Sequence, residues 1–251
     1  MMLYEKEKIN RHLYLSSEIS REELAPIIQA IELINQEDDN ADDEVTAQVQ
    51  NLVSQGIIDV EHMQYPYREP IILEINSEGG EVSAGFQLLT AIENSETPII
   101  GYVTGWCMSM AIPVLLACDY RLASEYSSFM IHDISSGTIG KYTEMKHYLE
   151  NGMVLSRDNY IKSVVKYSKL TRDELLEIMD RSHDYNFAPE KAIELGIVDS
   201  IDAFTDVEEM SKTIYQREES EDKEEVVSVE KPRKDKKTQI IELLSEIVDN
   251  D

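Results

Sequence analysis

Apolar runs alternate with helical patterns between residues 71 and 123, and this alternation constrains the fold more than any other feature. Two of the runs, Ile71-Ile-Leu-Glu-Ile75 and Ile99-Ile-Gly-Tyr-Val103, are typical of buried strands. A helical pattern from about Ser83 to Ile92 separates them, and an apolar helix over Ser109 to Cys118 precedes the strand-like Arg121-Leu-Ala. Strands that alternate with helices, with glycine or proline at the breaks, indicate parallel βαβ units. The sequence therefore predicts an α/β fold.

The first helix is predicted to follow a short strand near His12-Leu-Tyr-Leu. Ser20-Arg-Glu-Glu23 matches a capping box, and apolar residues at three- to four-residue spacing from Leu24 to Ile34 give this helix one apolar face. We expect the acidic stretch that follows to end the helix. Residues 36–69 are polar and acidic, and they are interpreted as an insertion containing one short helix around Val45 to Ile58.

Helical patterns also dominate the later part of the chain. A long helix is predicted from about Lys141 to Tyr167, and a second capping box, Thr171 to Glu174, begins another helix. The segment from Ala188 to Gly196 is typical of a short helix ended by glycine, and it leads into a strand-like Ile197-Val198.

One globular domain, residues 1–210, accounts for most of the chain and for its 42% hydrophobic content. Residues 211–237 are charged and poor in large apolar side chains, which is typical of a disordered linker. Residues 238–251 fit a short amphipathic helix, although a transient helix without a partner fits equally well.

Composition narrows the functional classes. The formal charge of −27, from 50 acidic and 23 basic residues, disfavours a nucleic-acid partner, because affinity for a phosphate backbone comes largely from Lys and Arg. The longest apolar run, around Met108 to Cys118, is far shorter than the roughly 20 residues of a membrane-spanning helix. Two neighbouring cysteines and no recognisable signal peptide indicate a reducing, cytoplasmic setting. The acidic clusters are interpreted as solvated loops or tails.

Two strand-to-helix junctions are candidates for chemistry. Asn76-Ser-Glu-Gly-Gly80 follows an apolar strand, and its glycines would let backbone N–H groups face a ligand, although a Gly-Gly turn alone is weak support. Gly105-Trp-Cys-Met-Ser-Met110 also joins a strand to a helix, which would expose the Ser109 hydroxyl at the positive end of the helix dipole. Taken alone, Ser109 fits an ordinary helix N-cap better than a nucleophile.

His132 is the histidine best placed to act as a base for that hydroxyl. It ends the strand-like Phe129-Met-Ile131, one strand onward from the Ser109 helix, so a parallel sheet would bring both side chains to the same edge. The other four histidines lie in polar surroundings. A structural histidine with satisfied hydrogen bonds is the competing interpretation of His132.

Four blocks in order along the chain resemble the proteolytic subunit of the Clp protease family. They are Ile75-Asn-Ser-Glu-Gly-Gly80, Gly105-Trp-Cys-Met-Ser-Met-Ala111, Met130-Ile-His132, and Asp184 followed by the segment from Ala188 to Asp199. The resemblance extends over roughly residues 13–201. It implies a ClpP/crotonase-like fold of repeated ββα and βαβ units with a protruding handle helix, which here would begin near Lys141.

The resemblance also implies a serine endopeptidase and assigns roles to its site residues. Ser109 would be the nucleophile, His132 the general base, and Asp184 the carboxylate that orients the imidazole. The backbone N–H groups of Gly80 and Met110 would form the oxyanion hole, and no metal is implied. Two other carboxylates, Asp133 and Asp180, compete with Asp184. Asp133 adjoins the histidine on a strand, where neighbouring side chains point to opposite faces, so Asp184 is preferred.

The family further implies a homo-oligomeric double ring of two stacked heptamers that cleaves peptides and unfolded proteins. The peptidase subunit would need no cofactor, and ATP would enter only through a partner AAA+ unfoldase. Three features depart from the family pattern. Asp133-Ile-Ser-Ser-Gly137 replaces the usual glutamine, proline and glycine-rich segment, which bears on substrate binding. The N-terminus leaves little chain for axial loops that would meet an unfoldase, and the insertion and acidic tail are additional.

Other functions fit parts of the sequence. A phage capsid-maturation protease shares this fold and would explain an assembly-directing tail. A crotonase-like acyl-CoA enzyme is a further alternative, because Leu116-Ala-Cys-Asp-Tyr-Arg-Leu-Ala-Ser124 resembles a strand and turn of that superfamily. A catalytically silent ring subunit is the least favoured alternative, because the serine, histidine and aspartate are all present.

Overall fold

A mostly parallel sheet with helices packed against it forms the core, as predicted for an α/β fold. The computed structural model describes residues 9–55, 68–137, 139–181 and 183–201. The strands are β1 His12–Leu15, β2 Ile71–Ser77, β3 Ile99–Met108, β4 Tyr120–Ala123, β5 Ser128–Ile131, β6 Tyr185–Phe187 and β7 Ser200–Ile201. The helices are α1 Arg21–Ser54, α2 Val82–Asn94, α3 Ala111–Leu116, α4 Tyr142–His147, α5 Val154–Tyr167, α6 Arg172–Met179 and α7 Pro189–Glu194, and a π-helical segment, Tyr148–Met153, joins α4 to α5.

The strand order explains how distant residues meet at one edge of the sheet. The order β1-β2-β3-β4-β7 is parallel throughout, while β5 leaves this path and pairs in parallel with the last residues of β3. Met108 is paired with Met130 there, so β3 and β5 end side by side. The strand β6 returns antiparallel to β5, with Ile131 paired with Tyr185.

Burial of the central strands stabilises this arrangement. Leu73 and Ile75 of β2 and Val103 of β3 are fully buried, and they belong to one apolar cluster with residues of α2 and α3. A separate, smaller cluster around Ile100 and Leu122 lies on β3 and β4. The near-continuous apolar runs of the sequence are therefore typical parallel strands with few exposed positions.

The first helix is much longer than predicted. The prediction that the acidic stretch ends it and that a separate short helix follows was wrong, because α1 continues from Arg21 to Ser54. The buried Asp38 carboxylate accepts hydrogen bonds from Arg11 and from the Thr97 hydroxyl. Arg68 donates to Asp39 and Asp42. Arg11 and Arg68 neutralise part of the acidic stretch, so the region around Asp38 to Asp42 packs on the domain and does not form a solvated loop. Residues 56–67 lie outside the described residues.

Local signals for helix ends are largely confirmed. Thr171 and Glu174 form both halves of a capping box. At α1 only one half is present, because Ser20 caps the Glu23 N–H while the Glu23 carboxylate accepts from Ser17. Gly196 has a left-handed φ of 70° after α7, as its position predicted.

Three remaining predictions about the later part of the chain have different outcomes. The prediction of a strand at Ile197-Val198 was wrong, because the strand is Ser200–Ile201. The helix predicted from Lys141 to Tyr167 is present, but its middle turns are π-helical. The domain end near residue 210, the linker and the terminal helix lie outside the described residues. Within those residues, every helix is too short or too polar to cross a membrane.

Candidate active site

Ser109 lies at the sharp turn between β3 and α3. Its φ of 52° is in the left-handed region, the one positive φ among the described non-glycine residues. Its N–H donates to the carbonyl oxygen of Met130 at 2.9 Å, which ties the turn to β5. The N-cap of α3 is Met110, so Ser109 is not the ordinary N-cap that its position alone suggested. The turn therefore aims the hydroxyl away from the helix.

The imidazole of His132 meets that hydroxyl. The distance from His132 Nε2 to Ser109 Oγ is 2.7 Å, and both residues are half-buried. His132 directly follows β5, and Ser109 directly follows β3, so the expected convergence of the two strand ends is present. A hydroxyl that donates to Nε2 leaves the imidazole proton on Nδ1, where a carboxylate would hold it.

Asp184 and His132 both lie just beyond the end of the β5–β6 ladder. Ile131 and Tyr185 are the last pair of this antiparallel ladder, and His132 and Asp184 are the next residues on the two chains. Among the described residues, however, no hydrogen bond joins the exposed Asp184 carboxylate to His132.

The two competing carboxylates are both bound elsewhere. Arg157 Nε donates to Asp133 at 2.8 Å, and its Nη2 donates to Asp180 at 2.7 Å. Hydrogen bonding to Asp133 raises the pKa of the Arg157 guanidinium and keeps it charged. Asp133 and Asp180 are therefore both bound to the Arg157 guanidinium.

The glycine turn after β2 lies against the serine turn. Gly79 has a φ of 92°, and a Cβ there would be 2.8 Å from Ser109 Cβ and 2.9 Å from Met110 N, so only glycine permits this approach. The turn is held by Ile19, whose N–H donates to Gly79 O at 2.7 Å and whose carbonyl accepts from Glu81 at 2.8 Å. Sequence reasoning did not identify this contact.

Backbone N–H groups converge on the space next to the hydroxyl. Gly80 has a φ of 147°, and neither its N–H nor that of Met110 donates to an acceptor in the part of the chain that the structure describes. Both residues line one small cavity together with Val82, Ser109, His132, Asp133, Ile134, Ser135 and Tyr160. Two unengaged N–H groups beside a hydroxyl are suited to bind a developing oxyanion.

Tyr160 of α5, like Arg157, is a residue that sequence reasoning missed. Its side chain is only 3% exposed, and its hydroxyl is 3.4 Å from the carbonyl oxygen of Ser109. Burial raises the pKa of this hydroxyl, so it stays protonated and can donate to the carbonyl. In the sequence Tyr160 looks like any residue on an apolar helix face, and no local signal distinguishes it. Within the described residues, no cluster of His, Cys, Asp and Glu is arranged to hold a metal ion.

Comparison with known proteins identifies the family. The model of the Clp protease family matches residues 41–203. The ATP-dependent Clp protease proteolytic subunit of Deinococcus radiodurans is 32% identical over 140 residues, which cover 55% of this chain and 67% of the relative. Proteolytic subunit 1 of Chlamydia trachomatis is 31% identical over 138 residues, with 53% and 70% covered.

The fold agrees with this assignment. A solved ClpP1 mutant from Listeria monocytogenes is similar to this chain with a TM-score of 0.60, over 78% of this chain and 94% of that one, at 19% identity. The likeness supports the ClpP-type fold that the four sequence blocks implied. Because the family model also spans more than half of the residues, this chain belongs to the Clp protease family.

Proposed function

We propose that this chain is a serine endopeptidase, the proteolytic subunit of an ATP-dependent Clp-type protease. The observation that carries the proposal is the 2.7 Å contact between Ser109 Oγ and His132 Nε2 at the adjoining ends of β3 and β5. A serine hydroxyl is a weak nucleophile until a positioned base accepts its proton. This pair supplies both groups in one cavity.

The chemistry follows from the positions of the atoms. His132 Nε2 accepts the hydroxyl proton as Ser109 Oγ attacks the peptide carbonyl, and the resulting oxyanion is bound by the N–H groups of Gly80 and Met110. His132 then protonates the leaving amine. Water enters, loses a proton to the same nitrogen, and hydrolyses the acyl-enzyme. Each half-reaction therefore uses one imidazole as base and then as acid.

Asp184 is the proposed third member of a catalytic triad with Ser109 and His132. The end of the β5–β6 ladder, where His132 and Asp184 come next on the two chains, supports this role, and Arg157 already binds the competing Asp133 and Asp180. A carboxylate at Nδ1 fixes the tautomer that leaves Nε2 free to accept a proton, and it stabilises the imidazolium that forms. The exposed carboxylate would have to turn towards the imidazole to take this role.

Assembly and partners are proposed from the relatives and from the surface. The relatives are named as subunits of ATP-dependent proteases, so we expect an AAA+ unfoldase as partner and no cofactor in this subunit. The segment from Tyr142 to Leu155 exposes Tyr142, Leu149, Val154 and Leu155. An exposed apolar patch of this kind is typical of a protein interface, which supports stacking of two rings through the handle. Peptides and unfolded proteins in the cytoplasm are the expected substrates.

The alternative functions predict different chemistry. A crotonase-like enzyme uses paired backbone donors but has no need of a serine hydrogen bonded to a histidine, and a silent ring subunit needs no such pair either. A capsid-maturation protease would use the same site on another substrate. Cleavage of a capsid protein in place of short peptides would favour that function.

Labelling with a fluorophosphonate tests the proposal. We expect the probe to modify Ser109, mapped by mass spectrometry, and the Ser109→Ala variant to fold normally but to lose both labelling and peptide hydrolysis. Ser54→Ala is the matched control, because Ser54 is an exposed serine at the end of α1 that does not line this cavity. Full peptidase activity in purified Ser109→Ala protein would contradict the assignment.

A further inference from the structure

We infer that Arg157 is a positioning residue that holds the His132 segment in place through Asp133, an inference that rests on the proposed peptidase function. Arg157 Nε donates to Asp133 at 2.8 Å, and Asp133 directly follows His132. Arg157 Nη2 donates to Asp180 at 2.7 Å, and Asp180 caps α6 four residues before Asp184. One guanidinium thus joins the two segments that carry the proposed base and its carboxylate.

The chain after His132 needs such a constraint. Strand β5 ends at Ile131, and residues 132–137 have no regular secondary structure, so the sheet ladder does not hold the backbone beyond that point. The oxygen of Asp133 that binds Arg157 also accepts the Ile134 N–H at 2.8 Å. This shared oxygen couples the guanidinium to the backbone immediately after His132. The direction in which the chain leaves β5, and with it the imidazole, is therefore set from α5.

The geometry favours positioning over a contribution to stability. The side chains of Arg157, Asp133 and Asp180 are 31%, 42% and 67% exposed, and exposed ion pairs add little to stability. A planar guanidinium that donates from two nitrogens fixes the relative orientation of both carboxylates, which a flexible lysine ammonium does not. We call the two contacts of Arg157, to Asp133 and to Asp180, the Arg157 clamp. Removing the clamp should therefore lower kcat more than it lowers the free energy of unfolding.

The position of the clamp within α5 strengthens this interpretation. Tyr160 lies one helical turn after Arg157, and its hydroxyl approaches the Ser109 carbonyl at 3.4 Å. Residues three apart on a helix lie on the same face. One face of α5 therefore contacts both sides of the proposed catalytic pair. Tyr160 approaches Ser109. Arg157 binds Asp133, which directly follows His132.

The test uses the full chain with a short fluorogenic peptide. For Arg157→Met we expect kcat to fall by about 10- to 100-fold with KM within about twofold of the unmodified protein, because small misplacements of reacting groups act mainly on the chemical step. Fluorophosphonate labelling of Ser109 should slow in parallel. Arg157→Lys should recover only part of the rate.

A double-mutant cycle separates action through Asp133 from a general effect. Asp133→Asn should resemble Arg157→Met, and combining the two should cost little more than either alone, because residues that act through one contact are not additive. The matched control is Arg172→Met. Arg172 also joins α6 to α5, through Asp158 at 2.9 Å, but does not reach the His132 segment, so kcat should be unchanged.

Several outcomes would overturn the inference. They are unchanged kcat in Arg157→Met, full additivity with Asp133→Asn, an effect confined to KM, an equal loss in Arg172→Met, or a loss that follows disassembly measured by sedimentation. If the unmodified protein shows no Ser109-dependent labelling, the proposed function itself fails. If it labels normally and the Arg157 variants match it, only the positioning role fails.

Discussion

Replacing Asp184 by asparagine tests the residue whose role depends most on the register of the sheet. Asparagine keeps the size of the side chain but removes the charge, so it can no longer stabilise the imidazolium that forms on His132. The two residues directly follow the last pair of the β5–β6 ladder, and the prediction takes the carboxylate to come within about 4 Å of the imidazole once its side chain turns. We therefore expect a loss in kcat at nearly constant KM.

The exposure of Asp184 sets the size of that loss. Two unit charges about 4 Å apart interact by about 1 kcal/mol in water and about 4 kcal/mol at a partly shielded surface. Because Asp184 is exposed in the single chain, these limits bracket the interaction. At about 1.4 kcal/mol per tenfold change in rate, the expected fall in kcat is about 5- to 1,000-fold. A buried triad of this kind loses about 10⁴-fold on the same change, so a value near that limit would indicate that assembly buries Asp184.

The assay is steady-state hydrolysis of a short peptide, together with the rate of fluorophosphonate labelling at Ser109. Asp180→Asn provides the comparison, because Asp180 belongs to the same segment but is bound by Arg157. The kcat of Asp180→Asn should fall only a few-fold, because this change weakens the Arg157 clamp and leaves Asp184 in place. Unchanged kcat in Asp184→Asn, or a larger loss in Asp180→Asn, would refute the assignment of Asp184.

Two further substitutions test the oxyanion turn and the packing of α1. Gly80→Ala should lower kcat by about 10²–10³-fold in the peptidase assay, because its Cβ would lie 2.4 Å from Ile19 O and displace the donor. Gly140→Ala is the control and should be neutral, because its Cβ would meet the flexible end of the Glu144 side chain at 3.3 Å and no backbone atom. Asp38→Ala should reduce the free energy of unfolding by about 3 kcal/mol, because it removes the carboxylate that two nitrogens of the largely buried Arg11 bind and leaves Arg11 with its contacts to Glu69. Exposed Asp43→Ala should change it by less than about 0.5 kcal/mol in urea titrations, and equal effects of the two would contradict this account.

The parts of the site that the sequence predicted follow from periodicity and strand direction. Parallel strands end at the same edge of a sheet, so a serine after β3 and a histidine after β5 were expected to meet, and their side chains do so at 2.7 Å. Glycine at positions 79 and 80 indicated a turn with free backbone donors. Such signals are local, because each depends on a few neighbouring residues and on the rule that joins adjacent strands.

The features that the sequence did not predict depend on residues far apart in the chain. α1 continues through its acidic stretch because Arg11 and Arg68 bind carboxylates 26 to 29 positions away. Arg157 is 24 positions from Asp133, and Tyr160 is 51 positions from Ser109. Helical periodicity places Tyr160 on an apolar face but does not indicate what that face covers. Only the packed structure connects these residues to the site.

The choice between a nucleophile and a helix cap at Ser109 is decided by one backbone angle. An N-cap serine has an extended backbone, which turns its oxygen towards the first N–H groups of the helix. At a φ of 52° that geometry is lost, at a cost of about 1–3 kcal/mol, and the hydroxyl faces His132 instead. The Met130 carbonyl and the close approach of Gly79 hold the angle, and both belong to other strands or turns. The same local sequence would favour a cap without those contacts, so the tertiary structure, acting through this angle, makes Ser109 available as a nucleophile.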